Sequence, residues 1–509
     1  MIDTRALVYR PFWPVFWKWT GIALGVGAAI LVAFIGFNLA MAPTGCPMFW
    51  NVFAIYCGTH TGMALAACLF MVPLAGYFAI KRPWLFPVSL YALLVPSDSY
   101  LNFTSFTGGS SLTKVAAILA TGSMMWYLAR NKRFVDPGNA VVAWLAYGAW
   151  ASMTMLWGYD VEDNTLILWG TLWQLIFFYV ILAVARIEED EFRVIMTSWI
   201  IGNLFASVFG ATVFGFGGAK FDNAGRLKAH FNPDNKLLSD LFSASFVFPV
   251  ALMTMYILRT NWGLKKIGLL LVYMVLLVGQ FVVGSRGGIL ADGLVLVYFF
   301  LKGRYRGQLM FLAALAFTVS FAFPTATWGR ILKPDPSGGS GRIEIWKVGW
   351  AALKDHWIFG GGFAQFENLY DKYFLTVWNQ YYEHWHRGPH NIILQAWVEQ
   401  GLIGLGIMLL AWWMTYKSMT HIPKGHPRYD ERIAVEAGVF GAFVAGIFVG
   451  IMLSKFTFWM FTVVSLYRQI TLRSVNATLA AKPPLDRVVV LDTGPPPELE
   501  PLPVPGSAT

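Results

Sequence analysis

The chain has 509 residues, 57% of them hydrophobic and only 13% charged, about half the charged share of an ordinary soluble protein. That balance excludes a water-soluble enzyme. Apolar runs of about 20 residues recur along the chain and mark it as a polytopic membrane protein. The net charge of +10 calls for no nucleic-acid partner, because basic loop ends that obey the positive-inside rule account for it.

In chain order, Arg5, Arg10 and Lys18 precede the first apolar run, 20–41, which is too long for a signal-peptide core and reads as a retained helix. Cys46, Cys57 and Cys68 form no metal-binding pattern. Cys46 and Cys57 either pair as an extracytoplasmic disulfide or remain free thiols. Further spans are expected at 63–80, 84–97, 112–129, 139–157, 165–185, 194–214, 237–258, 267–284, 289–301, 308–323, 391–415, 433–453 and 456–468, twelve to fourteen in all. The 23 Trp and 20 Tyr suit interfacial belts.

Basic residues alternate with these spans. Arg82, Arg130, Arg133, Arg186, Arg259, Lys302, Arg304 and Arg428 fall on one side, which is therefore the cytoplasm. Five segments follow: 1–19 as a cytoplasmic N-terminus, 20–323 as a transmembrane bundle, 324–390 as a large outer loop, 391–470 as the last membrane helices, and 471–509 as a cytoplasmic Pro-rich tail expected to be disordered.

Several basic residues contradict the orientation rule and so ask for another explanation. Arg226, Lys228, His230, Arg286, Arg342, Arg387, His384, His386 and His390 all fall on the outer side. An anionic ligand on that face is the natural inference. His390 sits in Gly388-Pro389-His390-Asn391, at the mouth of the helix 391–415, where a neutral imidazole is suited to act as a base. A capping or interfacial histidine packed on Trp385 and Trp397 is the plainer alternative. Gly284-Ser285-Arg286-Gly287-Gly288 reads as a tight turn offering a guanidinium fork to phosphate, or as a turn with a snorkelling arginine. Arg342 opens an amphipathic helix through Trp350, and Gly360-Gly361-Gly362 then breaks the chain. Glu399 is a rare acid within a membrane span, read mainly as a structural partner of a neighbouring element. The three histidines do not make a metal site, since Gly388-Pro389 keeps them off one helix and no acidic cluster adjoins. The chain also lacks a G-x-x-x-x-G-K-[S/T] phosphate loop.

Taken in order, these elements resemble the O-antigen ligase and polymerase family of bacterial membrane glycan transferases. The likeness covers mainly 220–405. It rests on Arg226 with Asn232-Pro233-Asp234-Asn235, on Ser285-Arg286-Gly287-Gly288, on Arg342-x-x-x-Trp346, and above all on His390-Asn391-x9-Gly401-x-x-Gly404. Asp234 departs from the Asn-Pro-Asn of many members.

The resemblance implies an all-α bundle of 12–14 membrane helices, similar to other polyprenol-dependent (GT-C-like) glycosyltransferases. It also implies a site on the periplasmic face of the bacterial inner membrane, with both chain termini cytoplasmic. The donor would be a polyprenyl-pyrophosphate-linked glycan, and the acceptor a sugar hydroxyl on lipid A core or on another glycan. No cofactor, metal or ATP would be needed. On this reading His390 is the base, Arg226, Arg286 and Arg342 hold the donor's pyrophosphate, and Asn391, Glu399, Lys228 and His386 support them. A polymerase of the same family, a protein O-glycosyltransferase and, more distantly, a polysaccharide flippase are the rivals. A flippase should carry its charges near the bilayer midplane, where Glu399 is almost alone.

Overall fold

Apolar runs closed by turn residues become helices almost wherever the sequence places them. The computed structural model describes residues 82, 84–98, 112–158, 165, 167–215, 220–221, 227–228, 230–232, 235–236, 239–283, 285–321, 328, 342–378 and 387–480. Within them the helices are α1 (Leu85–Leu94), α2 (Leu112–Asn131), α3 (Asn139–Thr154), α4 (Gln174–Val184), α5 (Glu189–Gly215), α6 (Ser239–Arg259) and α7 (Leu264–Val283). They continue as α8 (Arg286–Lys302), α9 (Arg306–Ser320), α10 (Arg342–His356), α11 (Phe366–Val377), α12 (Ile392–Lys417), α13 (Tyr429–Phe448) and α14 (Lys455–Ala480). The only strands among the described residues are two short antiparallel pairs, Lys220–Phe221 with Leu227–Lys228 and His230–Asn232 with Asn235–Lys236. The fold is an all-α polytopic membrane bundle.

Every expected span from 84 onward coincides with a helix, while 20–41 and 63–80 lie outside the described residues. Two boundaries differ in an instructive way. Residues 471–480, expected within the disordered tail, extend α14, and Pro483-Pro484 follow where a helix cannot continue. The outer loop is also more ordered than its glycine breaks suggest, since it contains α10 and α11.

Four segments, Asn139–Trp157, Asp240–Arg259, Leu264–Phe281 and Ile392–Lys417, are each long and apolar enough to cross a bilayer. In the bundle α6 packs on α13, α8 on both of these, α3 on α12, and α5 between α1 and α7. Trp144, Trp199 and Trp459 are wholly buried at its centre, so part of the tryptophan content fills the core rather than an interfacial belt. A second, smaller core lies outside the bundle. Ile345 and Val348 of α10 meet Leu369 and Tyr370 of α11 over Leu394 and Val398 of α12.

The backbone of α12 explains how this second core is held. At Gly401 the chain leaves helical geometry, with φ +69° and ψ −174°. In an unbroken helix the Leu402 N–H would donate to Val398 O and the Ile403 N–H to Glu399 O. Here the 357–362 segment takes over those partners. Gly361 N donates to Val398 O at 2.9 Å, Gly362 N to Glu399 O at 2.8 Å, and Leu402 N to Trp357 O at 2.8 Å. The break therefore leaves these buried backbone groups satisfied. The approach is close: a Cβ on Gly401 would stand 2.0 Å from Ile358 O, and one on Gly360 2.3 Å from Glu399 O.

On the opposite face, acids in the first turns of α5 and α13 pair with the basic loop ends. Glu189 pairs with Arg193 and Arg428, Glu191 with Arg82, Asp430 with Arg304, and Glu431 with Arg259. Acids at helix N-termini are favourable in their own right, and here they also neutralise neighbouring arginines.

Gly401→Ala should cost at least about 1–3 kcal/mol from its backbone region alone, before the clash with Ile358 is added. The purified variant should melt several degrees lower, and proteolysis should cut it within 342–378. A wild-type cleavage pattern would mean that this seam does not secure the outer helices.

Candidate active site

His390 stands in a strained, pinned turn. Its φ is +48°, one of three positive values among described non-glycine residues. Such a conformation is uncommon outside glycine and costs about 1 kcal/mol or more, so its surroundings must impose it. Both flanks are fixed. Trp346 Nε1 of α10 donates to Pro389 O at 3.2 Å. On the other side Asn391 caps α12, its Oδ1 accepting from Ile393 N at 2.9 Å and from Leu394 N at 3.0 Å. These bonds revise one expectation. The cap is Asn391, His390 lies one residue outside the helix, and the first free N–H groups already serve Asn391 rather than an anion.

Arg286 is the first residue of α8, half-buried, after the buried cap position Ser285. Gly287 and Gly288 are not a ligand-facing turn, as their sequence suggested, but lie within the helix. A Cβ on Gly287 would stand 2.9 Å from Phe448 Cβ, and one on Gly288 1.9 Å from Ser243 Oγ. The glycines therefore let the start of α8 press against α6 and the end of α13.

Arg342 opens α10 and pairs with Asp240 in the first turn of α6 at 2.6 Å, each side chain 16% exposed. Arg387 pairs more loosely with Glu344 at 3.8 Å.

These contacts link the three elements around one end of the bundle. Arg342 reaches Asp240, and one turn further along α6 Ser243 meets the start of α8 beside Arg286. Gly287 of α8 meets Phe448, and Gly446 in the same turn of α13 faces Ile392, two residues past His390. Trp346 closes the circuit from α10 to Pro389. Asp240 was missed in the sequence, where it is only an acid in a helix's first turn; its importance comes from a partner 102 residues away.

Glu399 lies elsewhere, 3% exposed in the broken segment of α12. Its Oε1 accepts from Phe366 N, at the start of α11, at 3.4 Å and from Gln395 Nε2 at 3.3 Å. It thus serves as a cap borrowed from another helix, which supports the structural reading. The Lys228 backbone pairs with Lys220 in a short strand. Arg226 and His386 lie outside the described residues. Among the described residues no three His, Cys, Asp or Glu side chains gather as metal ligands would.

Residues 237–409 match the family model described as O-antigen ligase. The chain carries an O-antigen ligase family domain. The matched segment begins just before α6 and ends within α12, so it holds Asp240, Arg286, Arg342 and His390 together. No curated protein matches the chain. Together with the apolar helices, the match supports an integral membrane protein. The matched family supports a glycosyltransferase-like role in cell-surface glycan biosynthesis and implies lipid-linked glycan and acceptor substrates.

Asp240→Asn would leave the Arg342 guanidinium without its buried counter-charge and should cost about 3 kcal/mol in a denaturation measurement. If Arg342 also meets substrate, Arg342→Ala should lower transfer well beyond Asp240→Ala at matched stability; equal losses would limit the pair to a structural role. A second prediction concerns His356 at the end of α10, beside Tyr373 Oη at 3.4 Å. Burial first, and Lys372 second, lower its pKa below the ordinary 6.5. The unfolded chain therefore takes up this proton before the folded one does. Stability is full above about pH 6.5 and falls as pH drops toward the folded value. Hydrogen exchange in 342–377 should accelerate over that window, and His356→Gln should flatten the dependence.

Proposed function

We propose that this site transfers a glycan from a polyprenyl-pyrophosphate carrier to a sugar hydroxyl, at the outer face of the cytoplasmic membrane. The observation that carries the reading is the closed circuit of contacts joining the His390 turn to the helix starts of Arg286 and Arg342. That circuit brings the His390 turn and the starts of α8 and α10 to one end of the bundle, which supports reading His390 as a base beside two guanidinium groups.

In the proposed step a ring nitrogen of His390 accepts the proton of the acceptor hydroxyl. The hydroxyl oxygen forms a bond to the anomeric carbon while the bond from that carbon to the phosphate oxygen breaks. Polyprenyl pyrophosphate leaves with the bonding electron pair, and the anomeric configuration inverts. Arg286 supports the growing phosphate charge, joined by Arg226 and by Arg342 if it turns from Asp240. Charge-assisted contacts of this kind strengthen as the site loses water. The strained turn contributes positioning, because Trp346 and Asn391 hold the backbone on both sides of the imidazole.

Lipid A core is the acceptor of a ligase and a second lipid-linked glycan that of a polymerase. Reconstituted protein supplied with polyprenyl-pyrophosphate glycan and lipid A core should give a lipid capped once; ladders from donor alone would favour the polymerase. An untouched donor under both conditions would overturn the transfer reading. His390→Ala should lower turnover by about 10²–10⁴ while membrane insertion persists. Arg286→Lys should also be severely impaired, because an ammonium cannot reproduce the planar fork. Wild-type turnover in either variant would remove that residue from the mechanism.

A further inference from the structure

Behind the start of α8 lies a group of buried polar side chains that the transfer reaction does not use. Asp292 is 7% exposed, and neither of its carboxylate oxygens has a hydrogen-bond partner among the described residues. Gln280 of α7 is 0% exposed, and neither end of its amide makes a hydrogen bond of good geometry among the described residues. The Ser243 hydroxyl of α6 is equally buried and likewise has no hydrogen-bond partner among the described residues.

Ser243 and Gln280 converge beside Gly288, and Gln280 also adjoins Asp292. A Cβ on Gly288 would stand 1.9 Å from Ser243 Oγ and 2.7 Å from Gln280 Nε2. Asp292 follows Gly288 by four residues and so occupies the same face of α8, one turn deeper. The Gln280 amide lies against its carboxyl, and Tyr273 of α7, whose hydroxyl adjoins Thr254, lies within its field. Asp292 is six residues inside the end of α8, about 9 Å along the helix axis, and thus within the apolar layer. An uncompensated carboxylate at such a depth costs several kcal/mol and by default marks a site.

We propose that Asp292, Gln280 and Ser243 bind a small monovalent cation of the sodium type between α6, α7 and α8. The donors suit a hard ion: two carboxylate oxygens, an amide oxygen and a hydroxyl oxygen. The Gln280 amide presents its oxygen after a half-turn that leaves its shape unchanged. Charge balance selects the valence. One carboxylate neutralises one positive charge, whereas a divalent ion would leave a net charge in the bilayer. With oxygens from three helices on one ion, occupancy would brace the junction from which Arg286 projects. The inference stands apart from the transfer reaction and needs no substrate to be tested.

The experiment is thermal melting of the purified full chain in detergent micelles, with sodium chloride titrated against choline chloride at constant ionic strength. Sodium should raise the melting temperature saturably, by about 2–5 °C at high occupancy. Asp292→Asn keeps the shape and removes the charge, so it should fold as well as the parent yet lose the sodium response. Ser243→Ala should shift the titration to higher sodium. Identical melting of the parent in sodium and choline would overturn the proposal, as would a sodium response retained by Asp292→Asn. Melting that follows pH but not sodium would make a proton the occupant, and would overturn it equally.

Discussion

The exchange of backbone partners at the break in α12 is the constraint on which the rest of this architecture depends. A membrane helix cannot leave peptide groups unpaired in an apolar setting. The interruption at Gly401 is tolerated because the 357–362 segment supplies the missing donors and acceptors. The same exchange fixes the outer helices to the bundle. Glu399 adds a side-chain bond to the first turn of α11, and the second core closes over Leu394 and Val398. α10 is thereby held where Trp346 can brace Pro389 and Arg342 can reach Asp240. The strained conformation of His390 is imposed from this scaffold.

Electrostatics divide the molecule into two ends of different character. At one end, acids in the first turns of α5 and α13 pair with arginines from neighbouring segments, so the basic loop ends double as structural ties. At the other end Arg342 and Asp240 form a compact pair in a largely water-excluded position. A pair of that kind does little for stability beyond avoiding a stranded charge. Its cost is easier to understand where an anionic ligand can compete for the guanidinium.

Much of this was legible in the sequence, for a physical reason. Helices in a membrane are recorded locally, in the length of an apolar run and in the residues that close it, so α1 to α9 and α12 to α14 fall where hydropathy puts them, whereas α11 carries no such signal. The His-Asn-x9-Gly-x-x-Gly pattern was legible as a signal, but its meaning was not. Gly401 belongs to a backbone seam and Gly404 to close packing near Gln400 and Trp150, while Asn391 is a helix cap. Likewise Gly287 and Gly288 looked like a loop and proved to be a helix–helix contact. Asp240, Gln280 and Asp292 gave no warning, because each acquires its significance from a partner on another helix. Sequence spacing does not encode such distances.

The seam also divides α12 into two unequal rods. From Leu402 to Lys417 the inner rod reaches only about 24 Å at the rise of an α-helix, against a hydrocarbon thickness of roughly 30 Å. The outer rod, Ile392 to Gln400, must therefore complete the crossing, and the break falls inside the apolar layer. Side chains at the break can thus meet a lipid-linked molecule from the side, at a depth that an unbroken helix would seal with its own backbone hydrogen bonds.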